Sequence, residues 1–343
     1  MSPALLGKVA PLGPWRSGTD SGDRARVDPI YHSDSLYSAV TGAMADLGEL
    51  DAWLEATARS AACAAVRFSS CFPFSDQTLF VTPPRSFWPP PLSSKVRWKG
   101  ARFVPLTLVD GLLSGDPLDE ERWAVDGSSE CLVESGASGP FCVALRSSAA
   151  VDRLGGAVAV HSTAAVEFAT GAGLWAVVAF SDEAAAARWR APVESALRLL
   201  GDSGLGGERS RGWGRYETPE FIEGTLPELL LPRVAGAAAV GTDFWEPLER
   251  AWWLLSLFAP AGQDSIYWER GNYNVVARGG RVLSRAGSGQ LKKALTMVTE
   301  GSVLVARGDV RGAAADVAPD GFPHPVYRAG FALALPIPMQ AAA

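Results

Sequence analysis

Gly204-Leu205-Gly206-Gly207-Glu208-Arg209-Ser210-Arg211-Gly212-Trp213-Gly214-Arg215-Tyr216 is the stretch of this chain that narrows its fold most. Five glycines fall between positions 204 and 214, with Arg209, Arg211 and Arg215 among or beside them. A backbone so poor in side chains can approach a ligand closely, and its N–H groups can cradle a phosphate while the guanidinium groups supply charge. The plainer alternative is a helix C-cap followed by a tight turn, for which a single glycine suffices. A Walker loop or a dinucleotide fingerprint follows a strand and opens a helix. Here the loop follows a helical pattern through Val193, Leu197 and Leu200, leads into a strand expected from Trp213, and lacks a G-K-[ST] ending. Nucleotide hydrolysis is not expected of it.

Upstream, Pro3–Leu12 is short and apolar and predicts a strand. In His32-Ser33-Asp34-Ser35-Leu36-Tyr37-Ser38-Ala39, Ser33 is a good N-cap, and Leu36, Val40, Met44 and Leu47 recur at helical spacing. A second helix is expected over Asp51–Ala65. The prolines between Phe72 and Leu92 exclude helix interior or central strand and predict an extended arm. Gly111–Gly139 reads as loop, and Gly156–Val160 and Leu174–Phe180 as strands. Ser181 would cap an Ala-rich helix interrupted at Pro192. The order strand, helix, strand, strand, helix, strand fits an α+β, ferredoxin-like (RRM-like) unit carrying a large loop-rich insertion at about 73–150. That gives a first domain over 1–220, with the glycine loop (204–214) near its end, and a second RRM-like domain over 221–343. In the second, Asp243 and Glu246 suggest a capping box for a helix with Phe244, Leu248, Trp252 and Leu255 on one face. Val275–Leu283 suggests a hairpin turning at Gly279-Gly280, with further strands over Ser302–Ala306 and Gly330–Leu335.

Length and composition fit two soluble globular domains: 343 residues, 48% hydrophobic and 20% charged. Met1–Leu12 lacks the sustained apolar core of a secretory leader. Ala251–Ala261 is about half the ~20 residues that span a bilayer, so a cytoplasmic protein with no membrane partner is expected. Cys63, Cys71, Cys131 and Cys142 form no C-x-x-C pair, and the three histidines are scattered, so neither a metal nor a cofactor is expected. The net charge of −6 is unpromising for a nucleic-acid partner, but its distribution is not. Gln77–Val109 contains no acid and holds Arg85, Lys95, Arg97, Lys99 and Arg102. Arg270–Thr299 likewise contains no acid and holds Arg270, Arg278, Arg281, Arg285, Lys292 and Lys293.

The glycine loop resembles that of the RAMP superfamily of CRISPR proteins, where it lies between a helix and the last strand of an RRM-like domain. Within that superfamily, His32–Ala39 resembles the H-S-D-T-L-F-S-A signature of the family of fourth Csm subunits of type III-A effectors, with Ser35 where Thr is usual. Three further matches follow in family order: Val151-Asp152-Arg153; Lys292-Lys293 with Met297 and Glu300-Gly301-Ser302-Val303; and Val326-Tyr327-Arg328-Ala329-Gly330-Phe331. The resemblance implies two RRM-like domains, binding of the 5′ repeat-derived tag of the crRNA, and contact with the large cyclase-bearing subunit and the backbone RAMP subunit. It also implies no nuclease activity. The RNA-binding residues expected on these motifs are His32, Ser33, Asp34, Ser35, Arg153, Gly204, Gly206, Gly207, Arg209, Ser210, Arg211, Gly212, Trp213, Lys292 and Lys293.

Catalysis is the weaker expectation from the residues themselves. Metal-free RNA cleavage needs a base for the 2′-OH and an acid for the leaving oxygen, and His32 has no partner evident in the sequence. His161 lies in an apolar alternation and His324 between two prolines. Asp34 lacks a second acid and fits first-turn charge on a helix, worth about 0.3–1 kcal/mol. Trp213 suits either a core or a base-stacking role. Two alternatives stay open: a metal-independent repeat-processing endoribonuclease, and a protein-interaction subunit without RNA contact.

Overall fold

The computed structural model of the chain describes residues 2–18, 23–59, 63–89, 98–240, 249–284 and 287–339. The run Ser2–Val9 forms β1, and the helical pattern after His32 forms α1 (Ser33–Asp46) and α2 (Leu50–Ala56). Short strands follow: β2 (Val66–Phe68), β3 (Phe72–Ser75), β4 (Thr78–Val81) and β5 (Val104–Pro105), then α3 (Leu106–Leu113). Two hairpins come next, β6 (Trp123–Asp126) with β7 (Cys131–Glu134), and β8 (Phe141–Val151) with β9 (Val158–Phe168). The half closes with β10 (Ala172–Phe180), α4 (Glu183–Ser203), β11 (Glu220–Leu226) and α5 (Pro232–Val240).

The main sheet runs β11-β1-β10-β3-β4-β5, with β2 also on β10, and all its pairs are antiparallel. β10 is a near-continuous buried run, as a central strand covered on both faces requires. Helices α1 and α4 pack on each other, and Trp53 sits between Tyr37 and Trp189 with ring centroids 5.7 and 5.4 Å away. The last strand of this sheet in sequence, β11, pairs along β1 from Ser2↔Leu226 to Lys8↔Glu220.

Among the described residues that follow, the regular elements are one 3-10 turn at Trp268–Arg270 and the strands β12 (Arg250–Leu254), β13 (Val275–Arg278), β14 (Arg281–Ser284), β15 (Gly287–Leu291), β16 (Leu295–Val298), β17 (Val303–Ala306), β18 (Ala314–Asp316), β19 (Tyr327–Ala329) and β20 (Ala334–Ile337). β12 is central in β17-β12-β20 and alternates its side chains. Trp253 and Leu255 enter the main core beside Phe72 and Phe331, while Trp252 and Leu254 join Phe258 and Leu304 on the other side. The main core therefore runs through both halves of the chain.

Several expectations are corrected. Trp252 lies in a strand, not a helix, because a strand buried on both faces shows no period of two in its apolarity; Asp243, Phe244, Glu246 and Leu248 lie outside the described residues. Gly279-Gly280 does not turn a hairpin: β13 pairs with β16 and β14 with β15, and Gly280, at φ +119°, lets the chain pass between the two ladders. The cap of α4 is Asp182, whose carboxylate accepts the Ala185 N–H at 2.8 Å, and the helix runs unbroken through Pro192. Gly111–Gly139 contains the β6/β7 hairpin, whose turn is closed by the Asp126 carboxylate accepting the Ser129 N–H at 2.9 Å. Finally, α2 ends at Ala56, and the strand expected from Trp213 begins at Glu220.

Candidate nucleic-acid interface

The glycine loop has a fixed base and a free tip. α4 ends at Gly204 (φ +82°), whose N–H donates to the Leu200 carbonyl at 2.8 Å. The loop folds back on itself and on residues 14–16: Leu205 N–H donates to Gly214, Gly207 N–H to Arg16, and Gly214 N–H to Pro14, at 2.9, 2.8 and 2.9 Å. A Cβ at Gly206 would stand 2.2 Å from the Arg16 carbonyl oxygen, and one at Gly214 would stand 1.9 Å from that of Leu205. These glycines serve close approach of protein backbone to protein backbone, and the N–H groups of Gly204, Gly207 and Gly214 are taken. The phosphate-cradle expectation is corrected for Gly204, Gly206 and Gly207 on that ground.

The tip differs. Glu208 adopts φ +58°, Arg209–Arg211 makes one 3-10 turn, and Gly212 at φ +80° reverses the chain. Arg209, Ser210, Arg211 and Gly212 are exposed. Arg211 donates to the Ser148 hydroxyl of β8 at 2.8 Å and approaches Glu208 at 3.4 Å. The Arg209 carbonyl accepts the Gly212 N–H at 2.9 Å, while no hydrogen bond or ion pair holds its side chain among the described residues. Trp213 is buried at 8% exposure, so the base-stacking option is corrected to a packing role.

The α1 start is also internal. His32 bonds Glu300 at 2.8 Å and Asp28 at 3.1 Å, and Asp28 also accepts from Arg102 at 2.8 Å. Burial disfavours charge on His32, but the charge and hydrogen bonds of Glu300 and Asp28 outweigh it and raise its pKa to about 10. Glu300 accepts from the Ser70 hydroxyl, which in turn accepts the Ser33 N–H at 2.8 Å. The Ser33 hydroxyl accepts the Leu257 N–H at 3.0 Å. Asp34 takes Arg278 through two bonds, at 3.2 and 3.0 Å, and Arg328 through another. Burial opposes its ionisation, yet the two guanidinium groups hold its pKa below the usual carboxylate value. His32, Ser33 and Asp34, all buried, thus pin the chain's start to its end, and their expected RNA contact is corrected accordingly. Ser35, half-buried, accepts from Arg278 at 3.2 Å.

Arg153 lies at the exposed turn of the β8/β9 ribbon, five residues beyond Ser148 and so roughly 17 Å along it. Lys293 pairs with Asp320 at 2.7 Å, whereas Lys292 is half-buried beside Arg278 and Arg328. Lys95, Arg97 and Arg285 of the acid-free windows lie outside the described residues. His161 and His324 are remote from His32 in the fold; His324 bonds Ser284 at 2.7 Å. Among the described residues there is no cluster suited to a metal ion, and no helix is long and apolar enough to cross a membrane. The ionic pins between Asp28, His32, Asp34 and Glu300 and the far arginines went unforeseen, because nothing in either segment alone marks the other as its partner.

Residues 249–337 match the family described as the CRISPR Csm4 C-terminal domain. No curated protein sequence matches the chain. Among solved structures, the Csm3–Csm4 subcomplex of the type III-A CRISPR-Cas interference complex contains a chain similar at TM-score 0.62 and 16% identity, covering 99% of this chain and 100% of that one. Csm1–Csm4 cassettes in complex with pppApA and with cA4 give TM-scores of 0.56 and 0.54 at 17% and 16% identity, with the same coverage. The mixed α/β architecture with antiparallel sheets is shared with these structures.

Proposed function

We propose, from the match of residues 249–337 to the Csm4 C-terminal domain, that the chain is the non-catalytic subunit of a type III-A CRISPR effector that holds the 5′ tag of the crRNA. Its partners are then the large cyclase-bearing subunit (Csm1) and the backbone RAMP subunit (Csm3), since the similar structures pair Csm4 with each. Both halves are then ferredoxin-like units, the first over 1–220 with an insertion at about 73–150 and the second over 221–343, and the protein acts in the cytoplasm.

One observation carries the RNA reading: Arg209 and Arg211 stand exposed on a tip whose base is locked to Pro14 and Arg16. Charge carried on a loop already locked at its base grips phosphate without first losing loop entropy. Each phosphate contact to a single strand contributes about 0.7 to the slope of log affinity against log salt. Replacing Arg209 and Arg211 together by alanine therefore lowers that slope by roughly 1.4 in a titration of tagged crRNA. An unchanged slope would favour the protein-interaction alternative. For the nuclease alternative, a discrete cut in labelled repeat RNA in EDTA would defeat the non-catalytic assignment. A His32 clamped between two carboxylates supports binding over cleavage.

A further inference from the structure

The fold seats Arg85 firmly but does not neutralise it. Its backbone is fixed on both sides: the N–H donates to the Gly301 carbonyl at 3.0 Å, and the carbonyl accepts the Asn272 side-chain amide at 3.2 Å. The residue is half-buried, and its Nε is shielded from water with no hydrogen-bond partner. The group that meets its guanidinium is neutral. With the Asn274 amide turned to satisfy both its ends, the oxygen accepts from Arg85 at 2.7 Å and the nitrogen donates to the Tyr273 carbonyl at 3.2 Å. Among the described residues no carboxylate pairs with Arg85, and the segment that carries it, Gln77–Val109, contains no acid. Burial alone depresses its pKa, with no neighbouring charge of either sign contributing. A cation desolvated without a counter-charge costs folding energy, which a carboxylate arriving from outside would offset.

The surroundings have the composition of a protein contact. Asn272, Tyr273, Asn274 and Val275 are four consecutive exposed residues, Val275 at 57%. Tyr273 stands edge-on to Trp268, with ring centroids 5.2 Å apart, which holds its ring in place. The nearby Arg270 is already paired with Glu249. A fixed arginine beside aromatic and aliphatic groups is the makeup of an interface centre. RNA backbone instead draws on several open cations along its path.

We propose that Arg85, framed by Asn272, Tyr273, Asn274 and Val275, is a socket for an aspartate or glutamate side chain of a partner protein, and a centre of binding energy at that interface. The proposal rests on the effector reading for its partner, Csm1 or Csm3.

The test uses the full chain and the Csm1 and Csm3 subunits of the same source, each titrated by biolayer interferometry. Arg85→Met keeps the apolar stem and removes the charge. It weakens binding to one of the two subunits by about 30-fold or more, the loss expected when one member of a buried charge pair is truncated. In the free chain the same replacement raises the melting temperature by about 1–3 °C, because a desolvated, unpaired charge is gone. The salt slope of RNA binding stays at the parent value. If Arg85→Met lowers the melting temperature, the arginine serves folding and the socket is overturned. If both subunits bind the variant as tightly as the parent, the socket is overturned and the effector reading stands. If neither subunit binds the parent, the effector reading falls and takes the socket with it. A salt slope lowered by about 0.7 with subunit binding intact would assign Arg85 to phosphate and overturn the protein socket.

Discussion

At Gly214 a methyl group would stand 1.9 Å from the Leu205 carbonyl oxygen, whereas at Gly212, with nearly the same φ, it would meet nothing within 4 Å. The two positions separate backbone strain from collision. Gly212→Ala costs about 1–2 kcal/mol, the ordinary penalty for a side chain in the left-handed region. Gly214→Ala costs about 3 kcal/mol or more, because backbone must also move. Urea unfolding of the two variants checks the order; equal costs would mean that the loop base is not locked. His32 gives a pH signature. Its folded pKa, about 10, lies above the ordinary 6.5, so it contributes stability in full below about pH 6.5 and loses it as pH rises through about 10. The unfolding free energy should fall between pH 7 and 10, and His32→Gln should flatten that decline; equal pH dependence in both proteins would refute the clamp.

Between residue and sheet, what was legible depended on how far the deciding contact lay along the chain. α1 was readable because Leu36, Val40 and Met44 share a face that a single helix defines, and all three are buried. The exposed arginines of the loop tip were readable because glycines on either side forbid a regular element. β12 was not, because its apolar run faces two cores at once. The internal roles of His32 and Asp34 were not readable either, since their partners lie 268, 244 and 294 residues away. Trp253, fully buried in the central strand β12, should cost about 3–5 kcal/mol on replacement by alanine. Asp182→Ala, removing the cap of α4, should cost only about 1 kcal/mol, and thermal unfolding will rank the two. The reverse ranking would mean that β12 is not the centre of the C-terminal half.

For the whole molecule, the shared core and the ionic pins join the two halves more closely than a linked pair of independent domains. Phe72 and Trp175 of the first half share a buried cluster with Trp253, Phe331 and Leu335 of the second. Unfolding should therefore be one transition, coincident by tryptophan fluorescence and circular dichroism. Two separated transitions would show that the halves fold alone. The 268 residues between His32 and Glu300 carry a further consequence for the nascent chain. A ribosome adding roughly 5–20 residues per second needs on the order of 10–50 s to travel from one to the other. Through most of that interval the newborn N-terminal half carries a histidine short of one of its two carboxylates, an unanswered acid at Asp34 and a bare greasy face, which makes it a natural client for a chaperone until its own tail arrives.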